Sequence, residues 1–558
     1  MKYLNLANLY LKLEETSSYL EKTEILSEFL KKLEKPEHIY LLQGKIFPDW
    51  DERETGISQQ LVIKALGKSA GEEKDKIIKL FKDLGDLGLV AEKIFKRKKQ
   101  STLSKSSLDV DKVLVNLQKL PDLQGKGTVE RKLSLVIELL NSASSLEAKY
   151  LVRTLLNSLR IGIGAGTMRD SIALAFMEKN KENLDKVQHA YDMSTDFAKV
   201  LEAARKNRFN LKIGLGKPIK VMLALKADSI KQGFEKVGKP AVFEYKYDGF
   251  RMLITKDKDS IQIFTRRLDN VTSQFPDVVK YIKDSVKVKS CILDGEAVGY
   301  NKKKQYQPFQ AISQRIKRKY EVDRLARELP IELNLFDIVY LNGKSLLDKP
   351  FKFRRERLEK IIKEKKWKIV LAKQIITSDE KKAEKFYKAA LKEGQEGLMI
   401  KKLDARYKPG ARVGYMLKLK PADKELDLVI TGAEAGTGKR AGWLTSYYVA
   451  CKSGKEYREV GKVSTGLKEK EEQGLSFKEL TKKIKPLITK EHGRRVEIKP
   501  KLIVTVVYQN IQRSPKYNSG YALRFPRITA LRNDKPISEI ATIEDMKNES
   551  GRENKWRV

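Results

Sequence analysis

The sequence contains very little cysteine and histidine. Among 558 residues there are two cysteines, Cys291 and Cys451, and three histidines, His38, His189 and His492. Two distant cysteines cannot form a disulfide framework or a four-cysteine zinc site, and the isolated histidines have no metal-ligand spacing. Catalysis by histidine pairs is therefore not expected, and any chemistry should depend on lysine and carboxylate side chains.

Long apolar runs are also missing. No segment of about 18 consecutive apolar residues occurs, which excludes a membrane-spanning helix of the usual length. The first residues, MKYLNLANLYLKLEE, mix charges into their apolar positions and have no small-residue cleavage site. We therefore expect an intracellular, cytoplasmic protein.

Acidic residues are scarce relative to basic ones. The 114 Lys and Arg residues outnumber the 74 Asp and Glu residues, so the formal net charge is +40. Such an excess attracts polyanions, because neutralised phosphates release their condensed counterions. The composition therefore predicts a nucleic-acid partner, although enrichment in lysine and glutamate is also typical of thermophilic proteins.

The spacing of apolar residues divides the chain into three parts. Residues 1–211 have helical spacing, as at Leu151 and Leu155, and predict an all-α domain. Glycine and proline interrupt this period near residue 212, and residues 212–421 contain β-branched runs such as SCILDGEAVGY and IELNLFDIVYL between helical segments. This pattern predicts an α+β domain. Residues 422–558 consist mainly of short strands, which favours a small β-barrel of OB type.

One lysine lies where an apolar strand is predicted. Lys246 belongs to the segment EYKYDGFR and is followed by Asp248 and Gly249. Burial and neighbouring cations lower the pKa of an amine, and the resulting free base can attack and form a covalent intermediate. Taken alone, this short pattern also fits an ordinary lysine at a strand edge before a turn.

Other segments carry residue types suited to nucleotide chemistry. Glu296 lies at the end of a predicted strand, and Phe336 is an aromatic residue suited to stacking on a base. Glu396 precedes a short strand, and alternation places Lys418 and Lys420 on one strand face, where the pair suits a triphosphate. Taken individually, a glutamate before a glycine is a common turn, and paired lysines usually form a solvated strand edge.

Together these segments resemble a known family. The matching segments are, in order, EYKYDGFR, FTRRLDNVT, LDGEAVGY, LNLFDIVYL, EGLMIK and LKLKP. They resemble the motifs of the covalent nucleotidyltransferases, which comprise DNA ligases, RNA ligases and mRNA-capping guanylyltransferases. The similarity is greatest to the ATP-dependent replicative DNA ligases of archaeal and eukaryotic type.

The resemblance extends over nearly the whole chain. Three further segments, TLLNSLRIGIGAGTMRDSIALAF, GKPIKVMLA and RFPRITALRNDK, resemble other parts of that family. They correspond to the end of the DNA-binding domain, the entry to the nucleotidyltransferase domain and the last motif of the OB domain. The implied fold is an all-α DNA-binding domain, an α+β nucleotidyltransferase (adenylation) domain and a C-terminal OB-fold β-barrel.

The resemblance also implies a role for each matching residue. Lys246 would attack the α-phosphate of ATP, release pyrophosphate and hold AMP as a phosphoramidate. Glu296 and Glu396 would bind a divalent metal ion, Mg²⁺ or alternatively Mn²⁺, and Glu296 could instead contact the ribose. The other nucleotide-binding residues would be Glu244 and Phe336 at the adenine, Arg251 and Arg266 (or Arg267) at the ribose and phosphate, Arg412, Lys418 and Lys420 at the α-phosphate, and Arg524, Arg527 and Lys535 at the pyrophosphate.

The implied activity is the sealing of nicks in duplex DNA during replication, repair and recombination. AMP would pass from Lys246 to the 5′-phosphate of the nick, and the 3′-hydroxyl would then displace it. The implied partners are nicked double-stranded DNA and a sliding clamp, for which residues 100–108 are a candidate docking loop. We expect a monomer that associates with the nucleoid in a prokaryote.

Several alternatives stay open at this point. An RNA ligase or a capping-type nucleotidyltransferase would share the lysine chemistry, but the long helical part before Lys246 resembles the duplex-clamping domain of DNA ligases. An NAD-dependent ligase is disfavoured because two cysteines cannot supply the zinc ligands of that group. A non-catalytic DNA-binding protein of the same fold would predict damaged motifs, whereas the residues of the implied site are all present.

Overall fold

In a computed structural model of the protein, apolar side chains gather into separate cores along the chain. One core draws on residues 3–204, further clusters draw on residues 193–419, and another draws on residues 428–546. In the part of the chain that is described, no helix combines the length and apolarity needed to cross a membrane. The structure describes residues 1–51, 53–97, 108–125, 127–178, 180–209, 213–317, 320–436, 440, 442–469 and 471–555.

The described part of residues 1–209 is helical, as the apolar spacing predicts. Its helices pack around a single core that extends from Tyr3 to Ala204. Ser144 and Glu147 form a reciprocal capping box at the start of the most buried helix, α9 (Ser145–Leu155). The helices are α1 (Tyr3–Glu15), α2 (Tyr19–Lys31), α3 (Ile39–Leu42), α4 (Gln59–Ala70), α5 (Lys74–Leu84), α6 (Leu87–Arg97), α7 (Val110–Lys119), α8 (Thr128–Ser142), α9, α10 (Ala165–Phe176), α11 (Lys181–Ser194) and α12 (Phe197–Arg205).

The central part alternates strands and helices. Its elements are β1 (Leu223–Ala227), α13 (Ile230–Val237), β2 (Ala241–Lys246), β3 (Phe250–Asp257), β4 (Ser260–Thr265), α14 (Pro276–Ser285), β5 (Ser290–Gly299), α15 (Phe309–Lys317), α16 (Val322–Glu328), β6 (Ile331–Leu341), β7 (Lys344–Ser345), α17 (Phe351–Ile361), β8 (Ile369–Leu371), β9 (Gln374–Thr377), α18 (Glu380–Lys392), β10 (Gly397–Lys402) and β11 (Arg412–Leu419).

These strands form two mixed sheets. The first has the order β1-β11-β10-β2-β9, with β1 parallel to β11 and the other neighbours antiparallel. The second has the order β4-β3-β5-β6-β7, and β8 adds to it in parallel beside β6. Strands β2, β5 and β6 are buried along most of their length, which explains their nearly continuous apolar sequence.

The C-terminal part is rich in antiparallel strands, as predicted. Its elements are β12 (Lys424–Ala435), β13 (Leu444–Ser453), β14 (Glu456–Val463), α19 (Phe477–Ile484), β15 (Ile488–His492), β16 (Arg495–Ile498), β17 (Ile503–Tyr508), β18 (Ile511–Arg513), β19 (Tyr521–Leu523), β20 (Arg527–Leu531) and α20 (Ile543–Lys555). The long strand β12 is bulged and pairs with β13, β16 and β17, so the sheet bends around one core. This arrangement fits an OB-type barrel.

The candidate docking loop falls almost entirely outside the described residues. Residues 100–107 are not among them. Leu108, the last residue of the segment, is described and is buried, and its carbonyl oxygen accepts a hydrogen bond from the N–H of Tyr3 at 2.7 Å. Leu108 therefore belongs to the helical core and is not part of an exposed surface.

Candidate active site

One face of the first sheet carries a row of charged side chains. Glu244 and Lys246 are two residues apart on β2, so they point to the same face. Met399 on β10 lies opposite Glu244, and Lys418 on β11 lies opposite Met399. Lys420, two residues beyond Lys418, continues the row by the same alternation. The strand register therefore brings predicted residues from separate segments to one surface.

Lys246 and Lys420 share one carboxylate. The Nζ atoms of both lysines lie 2.5 Å from Oε2 of Glu396. The backbone places Glu396 there, since its N–H donates to the carbonyl oxygen of Lys246 at 2.9 Å. Burial acts to raise the pKa of Glu396, but the two ammonium groups outweigh it and lower that pKa to about 2. Glu396 is therefore ionised and fixes both lysines at the end of β2.

Lys418 lies within a concentration of positive charge beside this pair. Burial lowers the pKa of its ammonium group, and the charges of Lys420, Lys246, Arg412 and Arg266 lower it further. Arg412 is exposed at the start of β11. A cluster of this kind favours a bound phosphate, whose negative charge relieves the repulsion between the cations.

The opposite wall comes from the second sheet. Arg251 on β3 and Glu296 on β5 are cross-strand partners. Arg251 donates to the buried Asp294 through Nε at 2.8 Å and Nη2 at 2.6 Å, and this double contact fixes the guanidinium. Burial raises the pKa of Glu296 to about 8, although the charges of Lys246 and Arg251 oppose the rise. Glu296 is therefore close enough to Lys246 to be influenced by its charge.

Phe336 is directed by a β-bulge. The register of β5 and β6 shifts between Asp294, which pairs with Asp337, and Gly295, which pairs with Leu335. Phe336 is the extra residue of this irregularity, and such a bulge changes the direction of the side chain. The guanidinium of Arg251 lies 5.4 Å from the ring centroid. The ring is thereby oriented where the two sheets meet.

The two walls enclose one cavity of about 770 Å³, which is within the range of about 300 to 1,000 Å³ usual for small-ligand sites. Most of the predicted site residues line it. They are Glu244, Lys246, Arg251, Arg266, Arg267, Glu296, Phe336, Glu396, Arg412, Lys418, Lys420 and Arg524. The arrangement offers an aromatic ring at one end and a lysine cluster with two carboxylates at the other, which suits a nucleotide with its phosphates.

Three family models of DNA ligases match successive parts of the chain. The family model for the DNA ligase N terminus matches residues 2–173, the model for the ATP dependent DNA ligase domain matches residues 221–420, and the model for the ATP dependent DNA ligase C terminal region matches residues 440–535. The DNA ligase of Nanoarchaeum equitans is 46% identical over 98% of both chains, and that of Thermococcus fumicolans is 40% identical over 100% of both chains. This chain belongs to the ATP-dependent DNA ligases. It is of the archaeal type and uses ATP to seal nicks in DNA.

Solved structures agree with the fold of this ligase. The structure named Pmar-Lig_Pre covers 95% of this chain and 99% of that chain with a TM-score of 0.58, at 18% identity. That likeness concerns the fold alone. The predicted family, the three-part fold and the nick-sealing activity are confirmed, and an RNA ligase, a capping enzyme or a non-catalytic binding protein is not favoured.

Two predicted residues of the C-terminal part lie elsewhere in the ligase. Arg524 reaches the cavity, with Nη1 3.4 Å from Oδ1 of Asp248 and Nη2 3.8 Å from Oε1 of Glu396. Arg527 does not line this cavity; it pairs with Asp423 at 2.6 Å. Lys535 also does not line the cavity; its Nζ pairs with Asp427 at 2.8 Å. In this arrangement the structure brings only Arg524 of the three to the nucleotide site.

The carboxylates of the ligase fit a metal ion only in part. Among the described residues there is no group of three or more His, Cys, Asp and Glu side chains that could hold a metal. Glu296 and Glu396 both line the cavity, and the charge of Glu396 contributes to the raised pKa of Glu296. Mg²⁺ is commonly bound by one or two carboxylates together with substrate phosphates. The donor set therefore fits a Mg²⁺ site that a bound nucleotide completes.

Sequence reasoning missed several residues that shape the ligase site. Asp294 holds Arg251, and Asp248 contacts Arg524. Lys401 pairs with Glu244, and the alternation within EGLMIK was a signal for it, since residues 399 and 401 share a face. No local pattern points to Asp294, because its partner is on another strand.

Proposed function

We propose that this ligase activates DNA through a covalent AMP on Lys246. The observation that carries the proposal is the shared carboxylate of Glu396, which holds Lys246 and Lys420 at the end of one strand inside the nucleotide-sized cavity. A nucleophile and a phosphate-binding cation are thus fixed side by side. Positioning and charge neutralisation are the main requirements of phosphoryl-type transfer.

The remaining residues of the cavity bind the nucleotide. Phe336 stacks on the adenine, Glu244 contacts its edge, and Glu296 contacts the ribose or the metal. Cationic residues take the ribose and the α-phosphate: Arg251, Arg266 with Arg267 as its alternative, Arg412, Lys418 and Lys420. Their support is their common position on the walls of one cavity.

Three covalent steps follow. The free amine of Lys246 attacks the α-phosphorus, forms an N–P bond, breaks the bond to pyrophosphate and gives up its proton. AMP next moves to the 5′-phosphate of the nick, which restores the lysine. The 3′-hydroxyl then attacks that phosphate and AMP leaves as the phosphodiester forms. The Lys418 and Lys420 charges stabilise the negative charge that develops on the α-phosphate.

Two carboxylates of the cavity are available to a divalent ion. Glu296 and Glu396 would hold Mg²⁺, with Mn²⁺ as an alternative. When bound, the ion neutralises phosphate charge. Two carboxylates facing one lysine row support this assignment.

The C-terminal part moves during the cycle. Arg527 and Lys535 bind the pyrophosphate when this part closes fully on the nucleotide, together with Arg524. Support comes from Arg524, which already contacts Asp248 and Glu396 at the mouth of the cavity. Full closure exchanges the contacts of Arg527 with Asp423 and of Lys535 with Asp427 for contacts with phosphate.

We place the domain limits at residues 1–211, 212–421 and 422–558, and we propose that the three domains surround a nicked duplex inside the cell. A sliding clamp as a further partner and a monomeric ligase complete the proposal. The net charge of +40 supports backbone contacts that do not depend on base sequence, which suits an enzyme that seals any nick.

Covalent labelling tests the proposed intermediate. The ligase, first treated with pyrophosphate to remove any AMP already bound, is incubated with α-phosphate-labelled ATP and Mg²⁺ and analysed by denaturing electrophoresis. We expect label that survives denaturation, maps by peptide analysis to Lys246 and is removed by added pyrophosphate. Label on another residue, or none on folded protein, would reject the role of Lys246.

Salt dependence tests the contacts with DNA. Affinity for a nicked duplex should fall steeply with salt, by about a thousand-fold between roughly 50 and 200 mM if six or more phosphates are neutralised. Fluorescence anisotropy with two unrelated nick sequences measures both affinities, which should decline in parallel. A flat response to salt would contradict phosphate-dominated binding.

A further inference from the structure

Glu244 lies between two cations. It is buried on β2, with 1% of its surface exposed. Its Oε2 lies 2.5 Å from Nζ of Lys401 on β10, and its Oε1 lies 3.8 Å from Nη1 of Arg355 on α17. One oxygen is therefore held by a direct ion pair, while the other faces a second cation across a gap that is too long for a hydrogen bond.

Lys401 is an unusual wall residue. Only 4% of its surface is exposed, yet it lines the nucleotide cavity together with Glu244 and Phe336. Its Nζ lies 4.9 Å from the ring centroid of Phe336 and 4.6 Å from that of Phe351. A buried ammonium is unfavourable unless it is paired, and the carboxylate of Glu244 supplies that pair beside the ring of Phe336.

Several polar atoms near this pair lack a hydrogen bond. Glu244 Oε1 and Arg355 Nη1 are both buried and have no hydrogen-bond partner. Gln374 lies directly opposite Glu244 on β9, and its Oε1 is also buried without a hydrogen-bond partner. Buried polar atoms are nearly always satisfied, so such a group beside a ligand cavity indicates that a ligand supplies a partner.

The chemistry of Glu244 depends on its charge. An ionised carboxylate only accepts hydrogen bonds, whereas a protonated one also donates. Burial raises the pKa of Glu244, and Lys401 and Arg355 oppose that rise. Adenine presents an amino donor at C6, where guanine presents a carbonyl acceptor. A carboxylate facing C6 therefore accepts a hydrogen bond from the amino group of adenine and repels the carbonyl oxygen of guanine.

We propose that Lys401 and Arg355 are positioning residues that give the ligase its selectivity for ATP over GTP. Their charges favour the ionised form of Glu244, and Oε1 is left to accept a hydrogen bond from the amino group of adenine. Lys401 is itself engaged by Oε2, so its ammonium is not offered to the carbonyl of guanine. This inference rests on the proposed contact between Glu244 and the adenine.

The test compares covalent labelling of Lys246 by α-phosphate-labelled ATP and GTP. The ratio of kcat/KM for ATP to that for GTP should fall roughly 10- to 100-fold in Glu244→Gln, which can donate to guanine, and in Lys401→Met. Arg355→Met should lower it less. The change should lie mainly in KM, and Lys401→Arg should restore most of the selectivity.

The matched control is Lys402→Met. Lys402 is the next residue on β10, has an exposed side chain and pairs with Asp404 at 3.3 Å. Its replacement should leave the ATP-to-GTP ratio unchanged. If Lys401→Met does not fold, Glu244→Gln decides, since the two side chains have nearly the same size.

The outcomes separate this inference from the proposed intermediate. A purely structural role of Lys401 would lower labelling by both nucleotides in parallel, and an unchanged ratio in Lys401→Met and Glu244→Gln would overturn the inference. If the natural chain carries no label on Lys246 at all, the proposed intermediate fails instead. Labelled Lys246 with unchanged selectivity in the variants rejects only the roles of Lys401 and Arg355.

Discussion

Replacing Lys246 by alanine should abolish the sealing of an ordinary nick but spare the sealing of a nick that already carries a 5′-adenylate. The first step needs the amine of Lys246 as nucleophile, and loss of a nucleophile typically lowers a rate by about 10⁴-fold or more. The last step needs only the 3′-hydroxyl, the activated phosphate and the surrounding cations. Gel-based ligation of both substrates measures the two rates.

Lys402→Ala is the control for this comparison, because it removes an exposed lysine from the neighbouring strand β10. Both nicks should be sealed at the natural rate by that variant. Sealing of the ordinary nick by Lys246→Ala would show that another residue accepts AMP. Equal loss on both substrates would show instead that Lys246 maintains the shape of the site, since Glu396 would lose one of its two lysine partners.

The strands of the nucleotide site could be predicted from local sequence. The run IELNLFDIVYL coincides with β6 (Ile331–Leu341), and of the two lysines predicted on one strand Lys418 lies on β11 while Lys420 directly follows its end. Such patterns are readable because a strand buried on both faces is continuously apolar and side chains alternate every residue. The helical part was readable for the corresponding reason, since its apolar spacing follows the turn of a helix.

Other parts of the site depend on pairings between distant segments. Arg355 lies on α17 and approaches Glu244 only because that helix packs near β2. The direction of Phe336 comes from a bulge, which shifts the register without changing the apolar pattern. Arg527 and Lys535 pair with Asp423 and Asp427, which precede them by more than 100 residues within the C-terminal part, so no local pattern shows these contacts.

Replacing Arg153 by methionine should strongly destabilise the helical part. Arg153 on α9 is 3% exposed, and it joins Glu14 at 2.9 Å to Asp86 at 3.0 Å. Methionine keeps much of the volume but leaves Asp86, itself 5% exposed, with fewer compensating charges. Breaking a buried ion pair in this way typically costs about 3 to 5 kcal/mol. Arg160 also contacts Asp86 at 2.9 Å, so the loss of stability should lie near the lower end of this range.

The control is Lys186→Met on α11. Lys186 is 47% exposed and pairs with Glu182 one turn away, so its loss should change stability far less than the loss of Arg153. Hydrogen exchange of the α1 and α9 amides, together with thermal unfolding, measures both variants within the full chain. Equal losses of stability in the two variants would contradict the idea that the burial of the Arg153 ion pairs makes their loss costly.

Acid should weaken the ion pair between Glu14 and Arg153 in the natural chain and so destabilise the helical part. Burial acts to raise the pKa of Glu14, but Arg153, Lys149 and the hydroxyl of Tyr150 outweigh it and lower that pKa from 4.5 to about 2. A lowered carboxyl pKa contributes stability that is complete above pH 4.5 and is lost as the pH falls toward 2. Arg153→Met raises the pKa of Glu14 back toward its ordinary value, so exchange rates in α1 and α9 should depend less on pH in the variant between pH 5 and 2. If the variant keeps the full acid dependence, Glu14 titrates independently of Arg153. The acid sensitivity of the natural chain would then come from other carboxylates.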